Sequence, residues 1–143
     1  MGTVCAMSAR SLQYYVIERR WASDLQFFGI EAAFLHRLMD DYFVRLCDKT
    51  YFEKFKHVGK DLLRLAEERK DADRLLTRQL KYVELMAEDI IPENAEDLAI
   101  NQVRLEYLMI NLNRDYREVK KALFELVESV IKENKLISVI NAN

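Results

Sequence analysis

The chain has 143 residues, of which half are apolar and 32% are charged; this length suits one domain, and the composition is too hydrophobic for a disordered protein. Only three glycines and one proline are present, which is too few for the turns of a β-rich fold and predicts the all-α class. The net charge is −2, with 22 basic residues balanced by 24 acidic ones, so nothing in the charge indicates binding to nucleic acid.

The first eight residues, 1–8, are predicted to form a short disordered tail. They contain neither the basic nor the apolar segment of a secretion signal, and the chain has no run of about 18 apolar residues that would suit a membrane span. Cys5 and Cys47 are not spaced as disulfide-bonded or zinc-binding cysteines are. We therefore expect a cytoplasmic protein with no membrane partner and no cofactor.

The first long helix is predicted over residues 9–48, with Ser8 or Ser11 as its N-cap. Along it, apolar side chains recur at intervals of three and four residues, which is the spacing of a helix that packs one face against its neighbours. These core positions are Leu25, Phe28, Ala32, Leu35, Met39, Tyr42 and Leu46.

Two further helices are predicted over residues 51–90 and 94–134. Thr50 and Asn94 are suitable N-caps, and Pro92 ends the second helix. The core positions of the second helix are Phe55, Val58, Leu62, Leu65, Arg69, Ala72, Leu76, Gln79, Val83, Met86 and Ile90. Those of the third helix are Leu98, Gln102, Leu105, Met109, Leu112, Tyr116, Val119, Leu123, Leu126 and Val130.

Links of a few residues between helices of about 40 residues predict an up-down-up antiparallel bundle in which three helices pack like a coiled coil. We expect a single domain, residues 1–143, with dimerisation as one way to complete the bundle. Residues 135–143 are predicted to form an apolar C-terminal tail that docks on the bundle or on a partner.

Arg69 places a charge at a core position of the second helix, which is costly unless the charge is paired. Counting residues from the two links places Arg69 level with Glu31 on the first helix and with Asp115 on the third. We predict that Arg69 bridges these two carboxylates. Two interpretations remain: a pin that sets the register of the helices, which we favour, or a buried catalytic or ligand-binding cluster of charges.

Gln79 and Gln102 also occupy core positions, and Glu18 lies toward the same end of the bundle. These three residues indicate either a small-molecule pocket or a set of polar side chains that satisfy one another or water. His36 and His57, the two histidines of the chain, are expected about 10 Å apart along the helix axis. That separation is too large for a shared metal site.

The first and third helices each carry a second line of apolar residues that a three-helix bundle cannot readily bury. We interpret this surplus as a surface covered by another molecule, by default a second copy of the chain, since most homo-oligomers are symmetric. The alternative is a broad core seam on a helix that touches both neighbours. The predicted interaction surface comprises Trp21, Phe27, Ile30, Phe34, Leu38, Ile100, Val103, Tyr107 and Ile110.

Two segments carry a resemblance to a known group of proteins. RWASDLQFFGIEAAFLHRLM, which begins at Arg20, and YREVKKALFELVESVIKENKL, which begins at Tyr116, resemble small uncharacterised helical-bundle proteins of Bacteroidetes. The resemblance implies three or four long helices and no known activity, so it assigns no functional residue.

The sequence contains no glycine-rich phosphate loop, no nucleophile beside a base and no paired-carboxylate motif. We therefore interpret the protein as a non-enzymatic helical scaffold or protein–protein interaction module. Its expected partner is a second copy of itself or another helical protein. The alternative hypothesis is a bundle that binds a small molecule or a metal ion.

Overall fold

The computed structural model describes residues 8–92 and 94–142, which form four helices and, within those ranges, no strand. They are α1 (Ala9–Asp41), α2 (Phe43–Leu46), α3 (Phe52–Ala87) and α4 (Ala95–Ala142). The predicted all-α class is therefore confirmed. Of the predicted N-terminal tail, only Ser8 lies within the described residues.

Ser8 is the N-cap of α1. The Ser11 backbone N–H donates a hydrogen bond to Ser8 Oγ at 3.1 Å, and the Leu12 N–H donates to the Ser8 carbonyl at 3.1 Å. A serine before the first helical residue accepts such bonds because the first N–H groups of a helix have no partner within it. One of the two predicted caps is thus confirmed.

The prediction of one unbroken helix over residues 9–48 is wrong. Helix α1 ends at Asp41, and α2 begins at Phe43, because Tyr42 adopts φ −109° and ψ 13°, in the bridge region rather than the helical one. Hydrogen bonds persist on both sides of the break, from Tyr42 N to Leu38 O at 3.2 Å and from Leu46 N to Tyr42 O at 2.9 Å. The break is therefore a local change in one residue, which apolar spacing does not reveal.

The turn before α3 also differs in detail from the prediction. The backbone N–H groups of Tyr51 and Phe52 both donate to the Asp48 carbonyl at 2.9 Å, and the helix begins at Phe52. Thr50 therefore lies within the turn, and Tyr51 occupies the N-cap position that we predicted for Thr50.

The C-terminus of α3 is closed by a Schellman motif. Asp89 has a φ of 61°, and two hydrogen bonds close the helix end: Ile90 N to Leu85 O at 2.9 Å and Asp89 N to Met86 O at 3.0 Å. The left-handed Asp89 thus ends α3 at Ala87, five residues before Pro92, which was predicted to end the helix. Ile90, predicted as a core position, is consequently 61% exposed.

Helix α4 begins as predicted but extends further. Asn94 Oδ1 accepts the Asp97 backbone N–H at 3.1 Å, which confirms Asn94 as the N-cap. Residues 135–142, predicted as a tail, are instead the last turns of α4. No glycine or proline interrupts residues 95–142. Asn134, at which the helix was predicted to end, accepts a hydrogen bond from Arg45 Nη1 at 3.1 Å.

The helices contribute to two compact units, and the single domain over residues 1–143 stays a prediction. The first unit comprises the described residues of Met1–Phe27 and Glu67–Asn113, and the second those of Phe28–Ala66 and Arg114–Asn143. In the first unit, Val83, Met86 and Leu98 form a buried cluster. The partly buried side chains packed against this cluster are Tyr14, Tyr15, Tyr82 and Ile91.

Aromatic pairs join α1 to α4 in the second unit. Phe28 stacks on Tyr116 with ring centroids 5.3 Å apart, and Phe34 meets Phe124 edge to face at 6.3 Å. Residue numbers rise together in these pairs, so the two segments run in the same direction within this unit. Such pairs contribute about 0.5–1.5 kcal/mol each beyond the burial of their area.

A polar cluster holds α4 to the turn before α3, also in the second unit. Tyr51 Oη donates to Glu133 Oε2 at 2.6 Å, and Arg45 Nη2 lies 3.0 Å from the same oxygen. The hydrogen bond to Glu133 raises the pKa of Tyr51, because a carboxylate acceptor favours the protonated phenol.

The predicted core positions are largely buried. Every position predicted on the third helix is buried, from Leu98 to Val130, and on the first helix only Met39 and Tyr42 are half-buried rather than buried. Each large apolar side chain buried in this way contributes about 1.5–3 kcal/mol before entropy is counted.

Asp89→Gly is expected to stabilise the fold by about 0.5–1 kcal/mol, because glycine adopts a positive φ without the cost that a side chain adds. Urea unfolding followed by circular dichroism measures the change. Glu88→Gly is the matched control: φ is not positive at Glu88, so glycine there lowers the free energy of unfolding. Equal losses in the two variants would contradict the left-handed cap.

Candidate functional site

A layer of polar side chains lies in the core of the first unit. Glu18 on α1 is 0% exposed, Gln79 on α3 is 3% exposed and Gln102 on α4 is 7% exposed. Helical spacing explains their burial: Glu18 precedes buried Leu25 by two turns, and Gln102 lies between the core positions Leu98 and Leu105. We call these three residues the polar layer.

Gln79 uses both ends of its amide. Its Nε2 donates to the Leu98 carbonyl oxygen at 3.5 Å, and its Oε1 accepts a hydrogen bond from Asn101 Nδ2 at 3.2 Å. Asn101 is half-buried. Gln79 thus joins α3 to α4, and the second N–H of its amide remains for another acceptor.

Glu18 and Gln102 are not satisfied in the same way. Both carboxylate oxygens of Glu18, and Oε1 of Gln102, are buried without a hydrogen-bond partner among the described residues. Gln79 connects the two positions: its side chain neighbours Glu18, and it bonds to the carbonyl of Leu98, one turn before Gln102 on α4. Three acceptors without a donor indicate that the layer takes up a proton, a water molecule or a ligand donor.

Burial raises the pKa of Glu18 from 4.5 to about 7, and the neighbouring Gln79 side chain partly opposes this rise. Desolvation acts in this direction because it disfavours the charged carboxylate. A protonated Glu18 brings one hydrogen-bond donor into the layer. The group therefore exchanges its proton close to neutral pH, which is the range in which a carboxyl group acts in acid–base chemistry.

The predicted charge cluster consists of Arg69, Glu31 and Asp115, of which the two carboxylates belong to the second unit and the arginine to the first. Glu31 in the second unit lies 3.1 Å from Lys120 Nζ. Asp115, in the same unit, lies 3.4 Å from Arg64 Nη1 and 3.1 Å from Arg114 Nε. Arg69 belongs to the first unit and lines a groove there with Leu25 and Gln26, as well as Lys70 and Asp73. The bridge from Arg69 to Glu31 and Asp115 stays a prediction.

The predicted interaction surface is mostly exposed. Trp21 and Leu38 are half-buried, and Phe34 is partly covered by its contact with Phe124. The remaining members are exposed: Phe27, Ile30, Ile100, Val103, Tyr107 and Ile110. Whether this surface binds a partner stays a prediction.

The two histidines are both exposed. His57 Nε2 lies 3.5 Å from Asp61 Oδ2, one turn along α3. Within residues 8–92 and 94–142, no group of three or more His, Cys, Asp or Glu side chains is arranged to hold a metal ion.

Two features of the surface were not predicted from the sequence. A groove of about 610 Å³ lies between α3 and α4 in the second unit, lined by Glu53, Lys54, His57, Val58, Ala122, Glu125, Leu126 and Ser129. In the first unit, Arg78 and Arg104 line clefts between the same two helices. Both arginines lie one residue from a core position, and only the register between helices brings them together.

No protein-family model matches the chain, and neither a curated protein nor a solved structure matches it. The resemblance to helical-bundle proteins of Bacteroidetes therefore stays a prediction. Among the helices in the described part of the chain, none combines the length and the apolar character that crossing a membrane requires.

Glu18→Gln is expected to remove a pH dependence of stability. The unfolded group titrates near 4.5 and the folded one near 7, so folding binds a proton between these values. Stability from this group is complete below pH 4.5 and is lost as pH rises to 7. With allowance for solvent screening, the loss is about 2 kcal/mol.

Urea unfolding at pH 5 and pH 8 measures this effect. We expect the wild type to lose about 2 kcal/mol more than Glu18→Gln over this interval. Glu106→Gln on exposed Glu106 of α4 is the control and is expected to follow the wild type. Parallel curves for the wild type and Glu18→Gln would show that the carboxylate is hydrated or paired in solution.

Proposed function

We propose that the protein is a non-enzymatic helical scaffold or protein–protein interaction module that associates with a second copy of itself. The observation that supports this proposal is an apolar stripe on α4 in the first unit. Its members are Ile100, Val103, Tyr107 and Ile110, which are 58%, 56%, 68% and 57% exposed. We call these four residues the α4 stripe.

The spacing of the α4 stripe is that of a helix–helix seam. Steps of three, four and three residues put all four side chains on one side of the helix, as at the a and d positions of a heptad. Single exposed apolar residues are common on protein surfaces, but a contiguous line of large ones is typical of an interface.

The core of the unit does not use this side of α4. Its buried face in the first unit carries Leu98, Gln102, Leu105, Met109 and Leu112. This line shares no residue with the stripe and lies on a different side of the helix. The helix therefore has two apolar faces, and one of them is already occupied. The second face is available for another helix.

The proposal extends to the arrangement of the chain and to its partner. In an up-down-up bundle of three coiled-coil-like helices, the α4 stripe of one copy packs against the same stripe of a second copy, in a symmetric dimer. Exposed Phe27 on α1, also in the first unit, is a further apolar side chain that a second copy or another helical protein could cover. We place this assembly in the cytoplasm.

Val103→Glu combined with Ile110→Glu is expected to convert a dimer into a folded monomer, because two carboxylates in an apolar seam are costly to desolvate. Size-exclusion chromatography with light scattering measures the mass, and circular dichroism reports the helix content. The expected mass falls from twice 17.0 kDa to 17.0 kDa.

Leu63→Glu is the matched control. Leu63 on α3 is 68% exposed and is not a member of the α4 stripe, so the same change in side chain there is expected to leave the dimer intact. A wild-type monomer at every concentration, or equal dissociation by the control, would overturn the proposal.

A second candidate function is favoured by the unsatisfied acceptors of Glu18 and Gln102. Buried oxygens without donors are rare in native proteins, and a bound small molecule is one way to satisfy them. On this alternative the bundle is a ligand-binding protein, and the polar layer or the cleft beside Gln79 takes the ligand.

A further inference from the structure

Two clefts in the first unit share a pair of arginines. The larger, of about 330 Å³, lies between α3 and α4 and is lined by Asp71, Arg74, Leu75, Arg78, Arg104 and Leu108. The smaller, of about 150 Å³, shares Leu75, Arg78 and Arg104 and reaches Gln79 of the polar layer. We call the larger one the arginine cleft. Its volume lies at the lower end of the range for small-molecule sites.

The carboxylates that line the two clefts are already engaged. Asp71 Oδ1 accepts a hydrogen bond from Arg74 Nη1 at 2.9 Å, and Asp97 Oδ2 accepts one from Asn94 Nδ2 at 3.1 Å. Arg78 and Arg104 have no ion pair within residues 8–92 and 94–142. Neither guanidinium group is therefore neutralised by a direct ion pair: Asp71 is paired with Arg74, whereas Asp97, which accepts from a neutral amide, keeps its charge in the smaller cleft.

The rest of the lining suits an organic ligand rather than a bare ion. Leu75 and Leu108 are half-buried and give the arginine cleft an apolar wall. In the smaller cleft, Asn101 uses one N–H of its amide for Gln79, so the other is available to an acceptor. Small-molecule sites combine apolar walls with a few polar groups that fix the orientation of the ligand.

We propose that the arginine cleft binds a small organic anion through a phosphate or carboxylate group. Arg78 from α3 and Arg104 from α4 donate to its oxygens from the two sides of the cleft. The guanidinium group presents paired N–H donors that match these anions, and it stays charged at all physiological pH values. The carbon body of the ligand lies on Leu75 and Leu108.

This site is independent of self-association through the α4 stripe. The side chains that line the clefts from α4 are Asp97, Asn101, Arg104 and Leu108, and none of them belongs to the stripe. The two proposals therefore fail separately: the mass of the protein tests one, and the binding of an anion tests the other.

The test is a titration of the full chain with inorganic pyrophosphate, and separately with citrate, at constant ionic strength. Arginine Nε–Hε resonances in NMR spectra report the binding. We expect saturable binding of at least one probe with a Kd of about 1 mM or lower. Pyrophosphate alone assigns a phosphate ligand, and citrate alone assigns a carboxylate.

Arg78→Gln and Arg104→Gln are each expected to weaken binding about tenfold or more, because each removes a charged pair of donors. Arg37→Gln, at an exposed arginine on α1 in the second unit, is the control and is expected to bind as the wild type does. The lysine variants at positions 78 and 104 retain part of the affinity, since they keep the charge but lose the paired geometry.

Two results would overturn the site. One is the absence of saturable binding by either probe in the wild type. The other is an equal loss of affinity in Arg37→Gln, which would show diffuse attraction to surface charge. Helix content by circular dichroism accompanies each variant, so that a folding defect in one arginine variant is recognised and the other variant decides.

Discussion

One apolar face on each long helix is the constraint on which the rest of the structure depends. Isolated helices are marginally stable in water even at favourable lengths, so most of their stability must come from packing. In α4 the buried line runs from Leu98 to Val130 without a gap. However, helical spacing decides which residues lie on the buried face, whether their side chains are apolar or polar. The same repeat that buries Leu98 and Leu105 also buries Gln102 between them, and on α1 it buries Glu18.

Burial of polar groups therefore gives the first unit its distinctive chemistry. An apolar side chain at Glu18 would fill the core without the cost of desolvating a carboxyl group. The carboxyl group instead has a pKa of about 7, and the neighbouring Gln79 also lines the smaller cleft beside Arg78 and Arg104. Buried polar residues in coiled coils often specify register at the expense of stability.

Outside the core, α4 has two features of opposite character within one unit. The α4 stripe is apolar and exposed, whereas the face toward α3 carries Arg104 and Asn101 beside the clefts. A helix has room for such separate faces because neighbouring residues point about 100° apart. The proposed partner surface and the proposed small-molecule site therefore lie on one helix without sharing a residue.

The sequence by itself determined the helical class, most core positions of each helix and the cap at Asn94, because these depend on spacing and on local hydrogen bonding. It narrowed the first cap to Ser8 or Ser11, and it placed Ile90 in the core although this residue is exposed. Only the tertiary structure decided which polar groups meet. Asp115 pairs with Arg64 and Arg114, and Arg78 shares a cleft with Arg104. Such pairings depend on the register between helices, which turns and packing set, and a slip of one residue points every side chain elsewhere. The helix break at Tyr42 and the left-handed conformation of Asp89 also could not be predicted from the sequence, because apolar spacing does not encode the backbone angles of single residues.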